Sequence, residues 1–407
     1  MRKSEILVGV DLGTSRVKAV VADVSERDLP EVLGAGESAA EGIEAGVIVN
    51  MDMASASIRA AVETAEESAD VEIGRVSVSI DGEHIKGIDS RGVIAVSRTG
   101  GEITKSEVDT VLEAAKTLAL PVGRAIIDVL PQEFFVDGQR GIRLPIGMSG
   151  VRLGSKVHIV TASQQAVDNV VRAVRKVGLR TDRVTLKPLA ASLASVSSDE
   201  RELGVLVVNL GAGTTGLALY QGGAVRHTAS IGWGASSITN DIAVGLRVPL
   251  SRAEQLKRDE GCALVSDAGD DPIEIPTVGG GPARESSRQM LAAVIEPRVG
   301  EIFELVGNEL SSTEYANMVP AGVVLTGGGA RLDRVAEAAE RFFGTPARIG
   351  LPDRVSGSFE AVADPAYAAA VGTVVATADS MAGGRYRYER PLAGTVQRVR
   401  QLVDRFL

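Results

Sequence analysis

Two short stretches of this chain carry residues whose types and spacing could grip a polyphosphate. One runs from Asp11 through Gly13, Thr14 and Ser15 to Lys18, and the other from Asn209 through Gly211, Ala212, Gly213 and Thr214 to Thr215. Each opens on an acidic or amide residue, passes through leucine and glycine into small or hydroxyl residues, and ends in an apolar run. Glycine at the third position lets backbone approach a ligand closely. Successive backbone N–H groups in such a turn form an anion-binding concavity. Two such turns facing each other would hold a polyphosphate from both sides. The Asp11 carboxylate would then hold Mg2+, directly or through water, because hard cations take oxygen ligands and keep waters. The plainer alternative is two unrelated hairpins. Repetition in register, one copy opening each half of the chain, favours the clamp.

A third element supports it. Gly327, Gly328, Gly329 and Arg331 lie in LTGGGAR, between a strand and a helix start, where a flat base can rest on bare backbone. Glu254 and Lys257, three apart on one helix face, would reach ribose hydroxyls or else form a solvated surface pair. Gly234 is grouped with the same nucleotide-binding residues.

The elements that must position these groups read as α/β. The chain has 407 residues, and at about 150 residues per domain that gives two to four domains. Aromatics are only 3%, so the core is built from Val, Leu, Ile and Ala, which suits a buried α/β sheet. Net charge is −10 and no basic stripe marks the body of the chain, which argues against nucleic acid as a partner. The single cysteine, Cys262, excludes an intrachain disulfide. His84, His158 and His227 lack metal-ligand spacing and read as structural. Asp11 ends the first apolar run too early for a secretory signal. No apolar stretch reaches the ~18 residues of a spanning helix, and residues 366–378 read as a buried one. A soluble or peripheral protein is expected.

Residues 5–24 read as two β runs around a turn, 51–69 as a helix and 75–80 as a strand. A block over 84–159 has its own helix at 103–120, with Thr104 and Glu107 as a capping box. Residues 163–179 form an amphipathic helix. Residues 251–261 form another, capped by Ser251 with Glu254 three residues on. Residues 275–286 read as loop, 321–332 as strand, glycine turn and helix start, and 379–395 as a linker. At 100° per residue, Val396, Val399, Leu402, Val403, Phe406 and Leu407 fall within an arc of about 140°. Arg398, Arg400 and Arg405 lie outside that arc with the other polar residues of the tail. This pattern reads as an in-plane membrane anchor, the alternative being a helix docked on its own protein. One such anchor is weak, whereas many on a filament bind firmly by avidity, so the anchor implies self-assembly.

The paired hairpins and glycine element resemble the ATPase fold shared by actin, heat-shock chaperones and sugar kinases. The block after residue 83, with RVPLSRAEQLKRDEGCAL, IPTVGGGPARESSRQM and PAGVVLTGGGARL, resembles the FtsA family of bacterial cell-division proteins, and the likeness spans essentially the whole chain. It implies an α/β, actin-like two-lobed ATPase fold with an inserted α+β subdomain, called 1C, and a C-terminal amphipathic helix. Subdomain 1A would take 1–83 and 162–200, and 1C would take 84–161. Subdomain 2A would take 201–232 and, before returning to 1A, 319–378. Subdomain 2B would take 233–318, the linker 379–394 and the helix 395–407. The resemblance further implies ATP and Mg2+ as ligands. Its partners would be the C-terminal tail of FtsZ, further copies of the chain, anionic membrane lipid, and other division proteins through 1C. The expected location is the cytoplasmic face of the cell membrane at the division site. Arg284, Arg288 and Arg298, in the 2B region, are candidates to meet the acidic FtsZ tail, since arginine suits carboxylates.

Two departures stand out. The superfamily commonly has an acidic residue where this chain has Asn209. Residues 185–194 resemble a segment in which relatives carry Glu-Pro, whose glutamate orients water, and here the pair is Lys187-Pro188. A water-positioning group is worth orders of magnitude in phosphoryl transfer. ATP is therefore expected to bind, to be hydrolysed slowly, and to act mainly as a structural ligand. The alternatives are a sugar or acid kinase of the same fold and a pilus-assembly scaffold. Asn209, Lys187 and the anchor argue against the kinase.

Overall fold

A computed structural model describes residues 5–383 apart from 26–28, 98–100, 118–121, 276–283, 316–317 and 358–361. The tail pattern at 396–407 and most of the expected linker lie outside the described residues.

The chain opens with β1 (Ile6–Leu12), β2 (Arg16–Asp23) and β3 (Glu31–Ala39). Almost every residue of β1 is buried, as in a strand covered on both faces. Short β4 (Ile43–Glu44) and β5 (Val47–Ile48) lead to α1 (Met51–Ala69). The Asn50 side chain caps α1 by accepting from the N–H groups of Asp52 and Met53. Ala54, Ile58, Ala61, Val62 and Ala65 form its buried stripe. The next strand is β6 (Arg75–Ile80).

An inserted unit follows: β7 (Lys86–Ala95), α2 (Lys105–Thr117), β8 (Arg124–Val136), β9 (Gln139–Ile142) and β10 (Arg152–Ser163). Its four strands run in the order β7-β10-β8-β9, around a core of Val111, Leu112, Phe134, Leu153 and Ile159. Ser97 Oγ and N donate to Glu107 at 2.7 and 3.0 Å, and Thr104 N and Oγ1 at 2.8 and 3.0 Å. The Ser97 hydroxyl leads these donors in holding the Glu107 carboxyl down to about 2 from an ordinary 4.5. A carboxylate depressed in the folded state stabilises fully above pH 4.5 and loses that contribution as pH falls toward 2. The Glu107→Gln variant should therefore lose less stability across that interval than the unaltered chain, as read by urea melts at successive pH values.

The chain then returns through α3 (Gln164–Lys176), β11 (Arg180–Leu186), α4 (Lys187–Ser195) and α5 (Ser198–Leu203). A second lobe holds β12 (Val205–Leu210), β13 (Thr215–Gln221), β14 (Ala224–Ile231), α6 (Ala235–Leu246) and α7 (Leu250–Asp259). Next come β15 (Pro272–Ile275), β16 (Arg284–Ser287) and α8 (Arg288–Ser311). It closes with β17 (Val323–Thr326), α9 (Val335–Phe343) and β18 (Ala347–Ile349), before α10 (Ala368–Gly383) crosses back to the first lobe.

The two five-stranded sheets have one topology. Their orders are β3-β2-β1-β6-β11 and β14-β13-β12-β17-β18. In each, an antiparallel three-stranded meander leads to two parallel strands. The repeat in the sequence is thus a repeat in the fold, and it puts β1 and β12 in equivalent central positions.

Three sequence expectations need correction. The helix expected at 251–261 begins one residue earlier, after Pro249, and has no side-chain cap, so Ser251 lies inside it. The ends of the loop-rich segment expected at 275–286 lie in paired strands, Ile275 in β15 and residues 284–286 in β16. The first five residues of the expected linker, 379–383, continue α10. Of the buried helix expected at 366–378, Ala366 and Tyr367 lie in a short 3-10 turn and the rest in α10, and among the described residues no helix is long and apolar enough to cross a membrane. His158 is buried between Asp89 and Thr228, and His227 bonds Glu309, consistent with structural roles. Cys262 is buried, and burial pushes its thiol up.

Candidate functional site

Asp11 and Asn209 occupy matching seats. Asp11 stands opposite Lys18 across the first hairpin and opposite Ser79 on the parallel side. Asn209 stands opposite Gly216 and Thr326. Ser79 Oγ donates to Asp11 Oδ1 at 3.2 Å, and Asn209 Nδ2 donates to Thr326 Oγ1 at 3.1 Å. In this seat the amide needs no counter-charge, and none faces it from Gly216. Asp11 has cations beside it on two elements, Lys18 on β2 and Lys187 at the start of α4. Burial pushes the Lys18 ammonium down, and the Asp11 and Glu37 carboxylates oppose that shift.

The two turns come together. A Cβ on Gly213 would meet Thr14 Oγ1 at 2.8 Å. Asp11, Gly13, Thr14, Ser15, Lys18, Asn209, Gly211, Ala212 and Thr214 all line one cleft of about 360 Å³, within the usual 300–1,000 Å³ for small-molecule sites. Three expected ligand residues do not line it. Gly213 packs on the opposite turn, Thr215 is buried and donates to the Trp233 carbonyl, and Gly234 packs beneath Gly211 and Ala212. They shape the second turn from behind.

The glycine element forms another wall, through Gly327, Gly328, Gly329 and Arg331. It enters a short 3-10 turn at Gly328–Arg331 rather than an α-helix. Gly327 has φ 84°, and a Cβ there would lie 2.6 Å from the Leu210 carbonyl, so this corner requires glycine. Glu254 and Lys257 both reach the cleft from α7. Lys257 Nζ lies 2.6 Å from Glu254 Oε2 and donates to Thr239 Oγ1 at 2.8 Å. Burial pushes its ammonium down, and Glu254 opposes that. The Lys257 side chain is largely buried in this pair, while that of Glu254 stays 43% exposed.

Across the cleft wall, Arg16, Lys18, Lys187, Lys257, Arg258 and Arg331 face Asp11, Glu37, Glu254 and Asp259. Basic groups outnumber acidic ones here, in a chain of net charge −10. That bias favours an anionic ligand.

Two residues of the site escaped the sequence reading. Asp81, just past β6, is buried and accepts from Thr214 Oγ1 at 3.3 Å and Gly82 N at 3.0 Å. Burial pushes its carboxyl up. It ties the first lobe to the second turn, and its signal was an acid ending a strand beside β1. Lys187 was read only as a lost glutamate. Its Nζ lies 3.0 Å from Asp11 Oδ1 and donates to the Leu12 carbonyl at 2.7 Å. This ion pair places an ammonium against Oδ1 of the carboxylate that was expected to hold Mg2+ directly or through water. The donor set fits a polyphosphate, with ammonium groups, turns and bare glycine backbone, and it fits a divalent cation poorly.

The three candidate arginines are engaged within the chain. Arg284 donates to the Leu246 carbonyl, Arg288 pairs with Asp333 at 2.7 Å, and Arg298 pairs with Asp241 at 2.5 Å and lies over the Trp233 ring. A carboxylate partner would meet Arg288 and Arg298 already paired with acids of this chain, whereas Arg284 is exposed and bonds only a neutral carbonyl.

Comparison with known proteins agrees with this geometry. Residues 206–372 match the family model for cell division protein FtsA, and residues 82–161 match that for the SHS2 domain inserted in FtsA. The cell division protein FtsA of Pseudomonas aeruginosa is 38% identical over 413 residues, covering 99% of each chain. That of Escherichia coli K12 is 36% identical over 400 residues, covering 96% of this chain and 95% of its own. Among solved structures, a chain of the PilM–PilN type IV pilus biogenesis complex matches with a TM-score of 0.65 at 18% identity, covering 91% of this chain and 98% of its own. MreB5 of Spiroplasma citri bound to ADP matches with a TM-score of 0.58 at 15% identity, covering 94% and 99%. At such identities these two show the fold alone, which is actin-like. The full-length relatives decide the family: this chain belongs to the FtsA family of cell division proteins.

Proposed function

We propose that this protein is an ATP-binding scaffold that assembles into filaments on the cytoplasmic face of the cell membrane and tethers the FtsZ ring at the division site. The observation that carries the nucleotide is the pair of equivalent hairpin turns meeting over one cation-rich cleft, with the Gly327–Gly329 wall beside them. The phosphates would lie against the turns and the Lys18 and Lys187 ammonium groups, and the base against the glycines. Membrane contact falls to the amphipathic pattern of residues 395–407, and self-assembly follows from the weakness of one such anchor. The inserted unit offers a surface for other division proteins. The FtsZ tail would dock on the 233–318 region, where the exposed Arg284 is the freest of the three candidate arginines.

The test is co-sedimentation with anionic liposomes in the presence of ATP, comparing the full chain with one stopped at Gly394. Only the full chain should pellet, and more sharply with ATP. Equal behaviour of the two would remove the anchor. Hydrolysis should be slow, since Asn209 brings no charge to the second turn. The Asn209→Asp variant should release phosphate at least about tenfold faster. A wild-type turnover near about one per second, or a variant no faster, would remove the structural-ligand role of ATP.

A further inference from the structure

We infer that the Lys187 ammonium takes the place of a divalent cation in this cleft, so that the protein binds a nucleoside triphosphate without needing Mg2+. The inference rests on the nucleotide-binding reading above.

Lys187 is the first residue of α4, directly after β11, and is only 6% exposed. A lysine this deep needs a partner. It has two, Asp11 Oδ1 and the Leu12 carbonyl, and its ammonium carries a third hydrogen. The residue also forms part of the cleft wall, so that remaining donor is available to a ligand there.

Mg2+ demands oxygen ligands at about 2.0–2.1 Å in near-octahedral array. On this wall the carboxylate that could anchor it already holds an ammonium. The equivalent seat in the second lobe is the neutral Asn209, whose amide nitrogen is bonded to Thr326. The neighbouring acid, Asp81, is taken up by Thr214 and Gly82. A divalent ion placed at Asp11 would face the Lys187 ammonium, and of the other carboxylates on the cleft Glu37 is paired with Arg16 and Glu254 with Lys257.

A lysine binds phosphate as a point charge, as a metal does, but without a coordination geometry. Lys187 at the start of α4 and Lys18 on β2 approach Asp11 from different elements, so the triphosphate would meet two fixed cations. Asp11 then serves to aim Lys187 and acts as a positioning residue, not a metal ligand.

The experiment is calorimetric titration of the full chain with ATP, in excess Mg2+ and again in EDTA. The two dissociation constants should differ by less than about threefold. The Lys187→Gln variant keeps an amide donor for the Leu12 carbonyl but loses the charge. Its affinity in EDTA should fall at least about tenfold and recover in part with Mg2+. A wild-type affinity at least about tenfold weaker in EDTA would overturn the inference, and so would a variant with the wild-type ratio. Absence of ATP binding in both buffers would instead overturn the nucleotide reading beneath it. The wild-type comparison needs no variant, so the inference stays exposed even if Lys187→Gln does not fold.

Discussion

Replacing Gly372 with alanine should lower the stability of the protein, and replacing it with valine should cost more than about 4 kcal/mol. The position is in α10, where alanine is intrinsically favoured over glycine by about 0.8–1 kcal/mol. Helix propensity alone therefore predicts the opposite sign. What reverses it is a crossing: a Cβ on Gly372 would stand 1.7 Å from the carbonyl oxygen of Ala190 in α4. The obstacle is backbone, which no rotamer can relieve, and overpacking of this kind costs about 1–3 kcal/mol for one methyl. Gly9 meets α10 in the same way from β1, with a Cβ only 2.3 Å from the Ala370 carbonyl. Gly300 supplies the control. It is also helical, in α8, and nothing lies within 4 Å of its would-be Cβ. Gly300→Ala should raise stability by about 0.5–1 kcal/mol. Urea midpoints of the two alanine variants should move in opposite directions, and a rise for Gly372→Ala would show that α10 and α4 do not cross this closely. The crossing matters for the cleft. Just ahead of α10, the Pro365 carbonyl accepts from Gly327 N at 2.8 Å and Asp364 pairs with Arg331 at 2.7 Å. The seat of α10 thus sets the glycine wall on which the base would lie.

The parts of the site that were legible in the sequence are those made by contiguous residues. Asp-Leu-Gly and Asn-Leu-Gly each specify a strand end and a tight turn by themselves, and their repetition announced the duplicated sheets. The glycine run was readable for the same reason. What could not be read depends on strands distant in sequence. Ser79 and Thr326 complete the seats of Asp11 and Asn209 only through parallel pairing. Lys187 reaches back over 175 residues to donate to the Leu12 carbonyl beside Asp11, and nothing near it in sequence says so. Asp81 is hidden likewise, since its partner Thr214 belongs to the other lobe. The arginines show the reverse case. Their charge was visible, but not that Asp333 and Asp241 already neutralise Arg288 and Arg298. The misplaced cap at Ser251 has a local cause: Pro249, which fits the entry of a helix, starts α7 a residue early. Glu254, released from capping, turns to Thr239 and Lys257 instead.

A second large loss is expected at Asp128, which links three parts of the molecule through one buried carboxylate. Asp128 belongs to β8 of the inserted unit, and its side chain is 4% exposed. Its Oδ1 lies 2.5 Å from Arg183 Nη2, and its Oδ2 accepts from Thr185 Oγ1 at 2.9 Å, both partners on β11 of the first lobe. Arg183 in turn donates to the Ala376 carbonyl at 3.3 Å and to Ser380 Oγ, both on α10. Its Nε is buried without a partner among the described residues, and Asp128 is the carboxylate that balances its charge. Asp128→Ala would leave that cation uncompensated, at a cost of about 3–5 kcal/mol. The net worth of the pair is smaller, because desolvating both ions offsets much of their attraction. The double variant Asp128→Leu with Arg183→Met should therefore recover most of what the single one loses. Urea melts of the three proteins supply the cycle. A single-variant loss below about 1 kcal/mol would mean that water reaches the pair and that the inserted unit is held by its apolar contacts instead. Neither residue lines the cleft, so ATP titrations of the folded variants should match the unaltered chain. If affinity fell as well, the charge at β8 would also be setting the cleft, through the α10 contact it shares with the glycine wall.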